Sequence, residues 1–408
     1  MTRMTVIDLT GGTPQSRSPV VGMVTRFPPS AAGSASSAME LVARLMEEHG
    51  FSVEVLRLMG HGEDSSMGHP VVMDVNPRWR MGADLVARRA NRCDVVVVQI
   101  DRHVPVDLAD DLISALHVPL ILLFDDIGDG DHTSRLAALA ARASMVVVPS
   151  ETARRRLQES LGDGADIRVT PHGSVWGPFD LRPEPRCNIL TWGFIEPGVG
   201  AERVIRAMAL LSDLDPRPRY RVVGVADPGW SQREAATYRR SLKAQAEELG
   251  VADQVDLVPL VHSQDGLRHE IERCDLIVVP YDTHEATCSR ILTEAVSTGR
   301  PVVATGFPGA IEMLSLGSGM TVGHDDDREM ASALRRFLTD DAEYRRAARI
   351  AAVQGGGFAW DEVARSLAHL VAEVIGLEAR QIETTTGDPR KASRERPSST
   401  GSGHDHAQ

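Results

Sequence analysis

Apolar positions along this chain come in short β-branched runs separated by longer stretches in which apolar residues recur every three to four positions. Unbroken blocks of Val, Ile and Leu mark strands buried on both faces, so this rhythm predicts parallel sheets covered by helices on both sides. In the first half the expected strands are PVVGMVT (19–25), FSVEVLR (51–57), DVVVVQI (94–100), VPLILLF (118–124), MVVVP (145–149) and IRVT (167–170). In the second half they lie near 187–193, 219–225, 255–260, 275–280, 301–304 and 320–322. Helical periodicity fills the gaps, notably at 34–50 and at 150–162, where Ser150 before Glu151 is a helix-start signal.

One fragment repeats almost literally: RCDVVVVQ at 92–99 and RCDLIVVP at 273–280. The repeat reads as equivalent strands in two similar domains. Between the halves, WGPFDLRPEPR (176–186) is proline-rich and aperiodic, as a linker would be. The expected organisation is an N-terminal domain at 1–178, a C-terminal domain at 179–378, and a polar tail at 379–408 too poor in apolar residues to fold.

Composition narrows the function. A chain of 408 residues exceeds one hydrophobic core. With 44 basic against 57 acidic residues, its formal charge of −13 argues against nucleic acid as a partner. The only lysines are Lys243 and Lys391, so an anion site must use arginine or backbone N–H groups. Cys93, Cys187, Cys274 and Cys288 show no metal or disulfide spacing, which fits a reducing cytoplasm. No apolar run approaches membrane-spanning length, which leaves peripheral contact with a membrane open.

Ligands of doubly wound sheets collect at the carboxyl ends of the strands. In the second half those ends carry GFIEPGVG, GVADPGW, YDTHEATCS and TGFPGA, the last with Thr305 and Gly306. The turn around Gly198 and Gly200 opens a helix whose N–H groups suit a phosphate, with Arg203 one turn along. A second helix starts near Ser289 and stops at Gly299. Within it Ile291, Leu292, Ala295 and Val296 can face the sheet, while Glu294 lies on a different side. A carboxylate there can accept from a ribose diol while helix N–H groups hold an adjacent phosphate.

Together, LTWGFIEPGVGAERVIRAM, YRVVGVADP, DLIVVPYDTHEATCSRILTEAVSTGRPVVATGFPGAIEML and TVGHDD resemble the donor-binding half of retaining glycosyltransferases of family four, which have the GT-B fold. VVGMVTRFPPSAAGSA and the VTPHG turn (169–173) match the acceptor half more loosely. The resemblance implies an α/β GT-B protein: two Rossmann-like, doubly wound parallel-sheet domains facing a cleft. It implies transfer of a sugar from a nucleotide-sugar donor to a carbohydrate, lipid-linked or small-molecule acceptor, with retention, no cofactor and no obligatory metal. Glu294 matches the ribose-binding glutamate. The acid that meets the sugar falls on Ala286, with Glu285 one residue away; the family's diphosphate lysine is Val199; and a glycine that admits the diphosphate is Arg290. Arg203 or Arg290 would then supply the charge. On the acceptor side, polar positions of the family read Gln99-Ile100-Asp101 and Phe124-Asp125-Asp126, with His103 as a shifted stand-in and Gly33 permitting close approach. These departures leave a second reading: a scaffold that binds a nucleotide-sugar or a protein partner without transfer.

Three further clusters have bland alternatives beside chemical ones. DDIGDGD (125–131) is a cation or polyol site, or a solvated loop; His61, Glu63, Asp64 and His69 are metal ligands or loop residues. Arg154, Arg155 and Arg156 are a patch for a lipid-linked acceptor or a solvated helix face.

Overall fold

The computed structural model describes residues 18–25, 46–58, 71–75, 80–100, 106–128, 130–162, 164–225, 230–259 and 264–376. Two all-parallel sheets follow one another along the chain. The first contains β1 (Val20–Thr25), β2 (Ser52–Leu58), β3 (Val71–Val75), β4 (Val95–Ile100), β5 (Leu120–Phe124), β6 (Met145–Val148) and β7 (Ile167–Val169), in the order β3-β2-β1-β4-β5-β6-β7. The second contains β8 (Asn188–Phe194), β9 (Arg219–Val225), β10 (Val255–Val258), β11 (Leu276–Val279), β12 (Val302–Thr305) and β13 (Gly319–Val322), in the order β10-β9-β8-β11-β12-β13. In each sheet the order reverses beside the first strand, which opens a crevice at the carboxyl ends. Strand β3 is absent from the expectation: VVMDV interrupts its apolar run with an aspartate, and it forms the edge of its sheet.

The repeated RCD fragment does the same job twice. Asp94 donates its N–H to the Val20 carbonyl at 2.8 Å and accepts the Val20 N–H on its carboxylate at 2.7 Å. Asp275 donates to the Asn188 carbonyl at 2.8 Å and accepts the N–H groups of Cys187 and Asn188 at 2.9 and 2.8 Å. Each aspartate thus supplies a partner for backbone donors that enter the sheet before its ladder begins. The strands that follow, β4 and β11, hold equivalent places beside β1 and β8.

Each sheet has apolar cores on both faces. Helices α1 (Arg80–Ala90), α2 (Val106–Ser114), α3 (Gly130–Ala140) and α4 (Glu151–Leu161) belong to the first half. The second half contributes α5 (Ala201–Ala209), α6 (Gln232–Glu248), α7 (Gln264–Arg273), α8 (Arg290–Ser297), α9 (Pro308–Leu314), α10 (Asp327–Thr339) and α11 (Asp341–Gly356). The last helix, α12 (Trp360–Val374), lies within the expected 179–378 span yet crosses back and buries Ala364, Leu367, Ala368 and Val371 against Val21, Met23, Val97 and Ile121 of the first sheet. Arg168 with Glu373 and Thr170 with Ser366 tie it there at 2.7 and 3.2 Å. Helical spacing shows that a helix has a buried face but not which sheet receives it. Most of the expected 34–50 helix, Gly33, His103, the cluster from His61 to His69 and the tail at 379–408 lie outside the described residues.

Candidate functional site

The turn from β8 into α5 is set by two glycines with left-handed backbone. Gly200 caps α5 at φ 80°, and a Cβ built on it would stand 1.7 Å from the Pro280 carbonyl oxygen. Gly198, at φ 96°, faces open space, and its carbonyl accepts the Asp282 N–H at 2.8 Å. Only a residue without a side chain lets this loop lie flat against the end of β11. Arg203, expected near a diphosphate, is held between two carboxylates: Asp282 at 2.8 Å and Asp325 at 2.9 Å.

Helix α8 starts as its sequence predicts. The Ser289 hydroxyl accepts the Leu292 N–H at 3.1 Å, and Gly299 ends the helix at φ 71°. Leu292, Ala295 and Val296 are fully buried beneath it. Glu294 is buried as well, only 6% exposed, and its carboxylate accepts the indole N–H of Trp192 on β8 at 3.4 Å. Burial pushes its pKa above the ordinary carboxylate range, while Arg290 and the Trp192 hydrogen bond pull in the opposite direction. Thr305, fully buried, and Gly306 stand at the end of β12 and are engaged in the scaffold. The Thr305 hydroxyl donates to the Tyr281 carbonyl at 2.7 Å, and the Gly306 N–H donates to Val322 at 2.9 Å.

Residues 285–290 meet the first domain directly. Asp125 accepts from the Gln99 amide at 3.0 Å and lies 3.4 Å from the Arg290 guanidinium. Asp126 accepts from the Thr287 hydroxyl at 2.9 Å. Glu285 pairs with Arg156 at 3.0 Å. Cys288 donates to the Asp125 carbonyl at 3.0 Å and sits 3.5 Å from His172 Nε2. Burial raises the Cys288 thiol well above its usual range and lowers the His172 imidazole, so both are neutral around pH 7. A cavity of about 40 Å³ bordered by Gln99, Asp125, His172, Arg290 and Trp360 lies where the two halves meet.

Arg290, Glu285, Asp125 and Asp126 thus come together at one interdomain face, while Ser289 and Glu294 keep their partners within the second domain. Gly198, Gly200 and Arg203 adjoin the end of β11 on the second domain. Arg156 leaves the basic patch expected on α4 and turns to the second domain, while Arg154 pairs with Glu151 at 2.6 Å. Trp192 and His172 join these residues without a sequence expectation behind them; their signals are an indole needing a partner near a strand's carboxyl end and a histidine in the VTPHG turn. Among the described residues, no group of three His, Cys, Asp or Glu could hold a metal ion, and no helix is long and apolar enough to cross a membrane.

Residues 180–354 match the family described as glycosyl transferases group 1. The D-inositol 3-phosphate glycosyltransferase of Stackebrandtia nassauensis is 29% identical over 244 residues, 56% of this chain and 52% of that protein. Its counterpart from Nocardioides sp. is 32% identical over 278 residues, 62% of this chain and 60% of that protein. The chain therefore spans little more than half the length of these curated relatives. Among solved structures, sucrose-phosphate synthase from Thermosynechococcus elongatus superposes with a TM-score of 0.72 at 16% identity, covering 88% of this chain and all of the other. Anabaena Alr3699/HepE in complex with UDP gives 0.65 at 18% identity, covering 87% and 100%. The two Rossmann-like domains are those of the GT-B glycosyltransferase fold, and the second of them matches glycosyl transferases group 1.

Proposed function

We propose that this protein transfers a sugar from a nucleotide-sugar, a UDP-sugar in the first instance, to a hydroxyl acceptor with retention of configuration. The observation that carries the proposal is Glu294: a desolvated carboxylate in α8, the helix that Ser289 caps, held against Trp192 near the carboxyl end of β8. A ribose diol would give it two donors in place of one long bond from Trp192, and the diphosphate would lie on the N-terminal ends of α5 and α8. Arg290 or Arg203 would answer the charge that develops on the leaving diphosphate, once released from Asp125 or from Asp282 and Asp325. Glu285, and His103 beyond the described residues, would face the sugar. Asp125, Asp126 and Gly33 would serve the acceptor. Ser289, Thr305, Gly306, Gly198 and Gly200 would shape the cradle. No metal enters this scheme.

The names of the curated relatives make D-inositol 3-phosphate the first acceptor to try. Four cysteines, all free, are compatible with action in the cytoplasm.

One observation favours a second reading, binding without transfer: Arg203 is already neutralised by two aspartates, and Val199 offers no replacement charge. Isothermal titration with UDP, GDP and ADP, each with and without a sugar, separates the two. Binding followed by release of free sugar or a glycosylated acceptor supports transfer. Binding without turnover supports the second reading, and no binding removes transfer and leaves only a scaffold for a protein partner.

A further inference from the structure

We propose that Arg156 is the positioning residue for Glu285, so that the sugar-facing acid is assembled across the domain boundary. The inference rests on the transferase reading above. Arg156 projects from α4 of the first domain, and its guanidinium makes three bonds. It donates to the Gly128 carbonyl at 2.5 Å within its own domain, and to the carbonyl and carboxylate of Glu285 at 2.7 and 3.0 Å across the boundary. A planar guanidinium anchored on one side and forked on the other fixes orientation as well as charge, which a lysine cannot reproduce.

The two partners differ in freedom. The Arg156 side chain is 20% exposed and that of Glu285 is 56% exposed, so without the pair Glu285 would sample solvent rotamers. The loop backbone behind Glu285 has its own support, since the Ala286 carbonyl accepts the Gly309 N–H at 3.0 Å within the second domain. Arg156 thus holds both the backbone carbonyl and the carboxylate of Glu285, on a loop that keeps a support of its own.

The surrounding contacts bring the same elements together. The Ser150 hydroxyl donates to the Thr287 carbonyl at 2.8 Å. The Glu312 carboxylate on α9 accepts the N–H groups of Glu151 and Thr152 at 2.9 and 2.7 Å, supplying the first turn of α4 with acceptors from the other domain. Both ends of the Arg156 bridge are thus held in register while the domains touch. The expected family acid falls on Ala286, and a neighbouring acid steered by an arginine is a physical route by which Glu285 reaches the same sugar.

The test compares the full chain with Arg156→Ala, Arg156→Lys, Glu285→Gln and the double variant Arg156→Ala/Glu285→Gln. Turnover of UDP-glucose at saturation and UDP affinity are the readouts. Arg156→Ala is expected to lower kcat about 100-fold, the scale of a misplacement near 1 Å, while UDP affinity stays within about twofold. Arg156→Lys should recover only part of the loss. Added to Glu285→Gln, Arg156→Ala should cost less than about threefold, because groups that act as a unit are not additive. Unchanged kcat in Arg156→Ala, or an equal loss with and without the Glu285 carboxylate, overturns the inference. Full turnover by Glu285→Gln overturns it together with the role of Glu285, while UDP binding that depends on Glu294 stands apart. A parent chain that turns over no UDP-, GDP- or ADP-linked sugar overturns both the inference and the transferase reading.

Discussion

Replacing Gly200 by alanine puts the donor cradle under a measurable load. A side chain at φ 80° pays the left-handed penalty of about 1–2 kcal/mol. Its Cβ would also lie 1.7 Å from the Pro280 carbonyl oxygen, whereas real contacts of this kind essentially never fall under 3.0 Å, so the gap must open by 3.0 − 1.7 = 1.3 Å. The obstacle is backbone at the end of β11, not a movable side chain, and overpacking of that kind costs roughly 1–3 kcal/mol more. The expected sum is about 2–5 kcal/mol. Gly198→Ala is the internal control: its φ of 96° carries a similar penalty, but nothing lies within 4 Å of the added atom. It should cost only about 1–2 kcal/mol. Denaturant unfolding of the two variants under identical conditions gives the difference directly, and UDP titration should show Gly200→Ala binding more weakly, since the N-terminus of α5 is displaced. Equal destabilisation by the two substitutions would refute the assignment of Gly200 as the point of closest backbone approach.

Other outcomes follow from the same contacts. Glu294→Ala should weaken UDP binding roughly 10- to 150-fold, the worth of a charge-assisted bond of about 1.5–3 kcal/mol, and unchanged affinity in calorimetry would remove the ribose assignment. Because burial raises the Glu294 pKa above its ordinary 4.5, the native chain binds that proton more tightly than the unfolded one. The Glu294 contribution should therefore fall as pH rises from about 4.5 through the raised value, and Glu294→Gln should flatten that slope in pH-dependent melts without lowering unliganded stability at pH 7. Leu367→Ala on α12 should cost about 2–5 kcal/mol and appear in the unfolding transition of the first domain. Glu312→Ala should expose Cys288 to iodoacetamide roughly two- to thirtyfold faster, as cross-domain capping worth about 0.5–2 kcal/mol is lost. An unchanged rate, read by mass spectrometry of the Cys288 peptide, would show that the domains do not part at this contact.

The local elements were legible because they answer to local rules. Ser289 and Gly299 mark the two ends of α8 by the hydrogen bond a cap must make and the φ a terminator must adopt. The twofold RCD signature pointed to equivalent strands, and the structure adds the reason, a carboxylate that satisfies the donors at the start of the neighbouring strand. Glu294 was legible as a residue on its own side of the helix, but its burial against Trp192 was not, because the two are 102 positions apart.

The sequence by itself marked twelve of the thirteen described strands, the two ends of α8, the succession of two parallel sheets and the loops at their carboxyl ends, since periodicity, caps and glycine turns act over a few residues. Tertiary structure alone decided that α12 returns to the first sheet, that Arg203 is already claimed by two aspartates, and that Arg156 leaves its helix patch for Glu285. Those outcomes depend on which buried faces and opposite charges meet after the chain has closed over 79 residues or more, and no local pattern records that meeting.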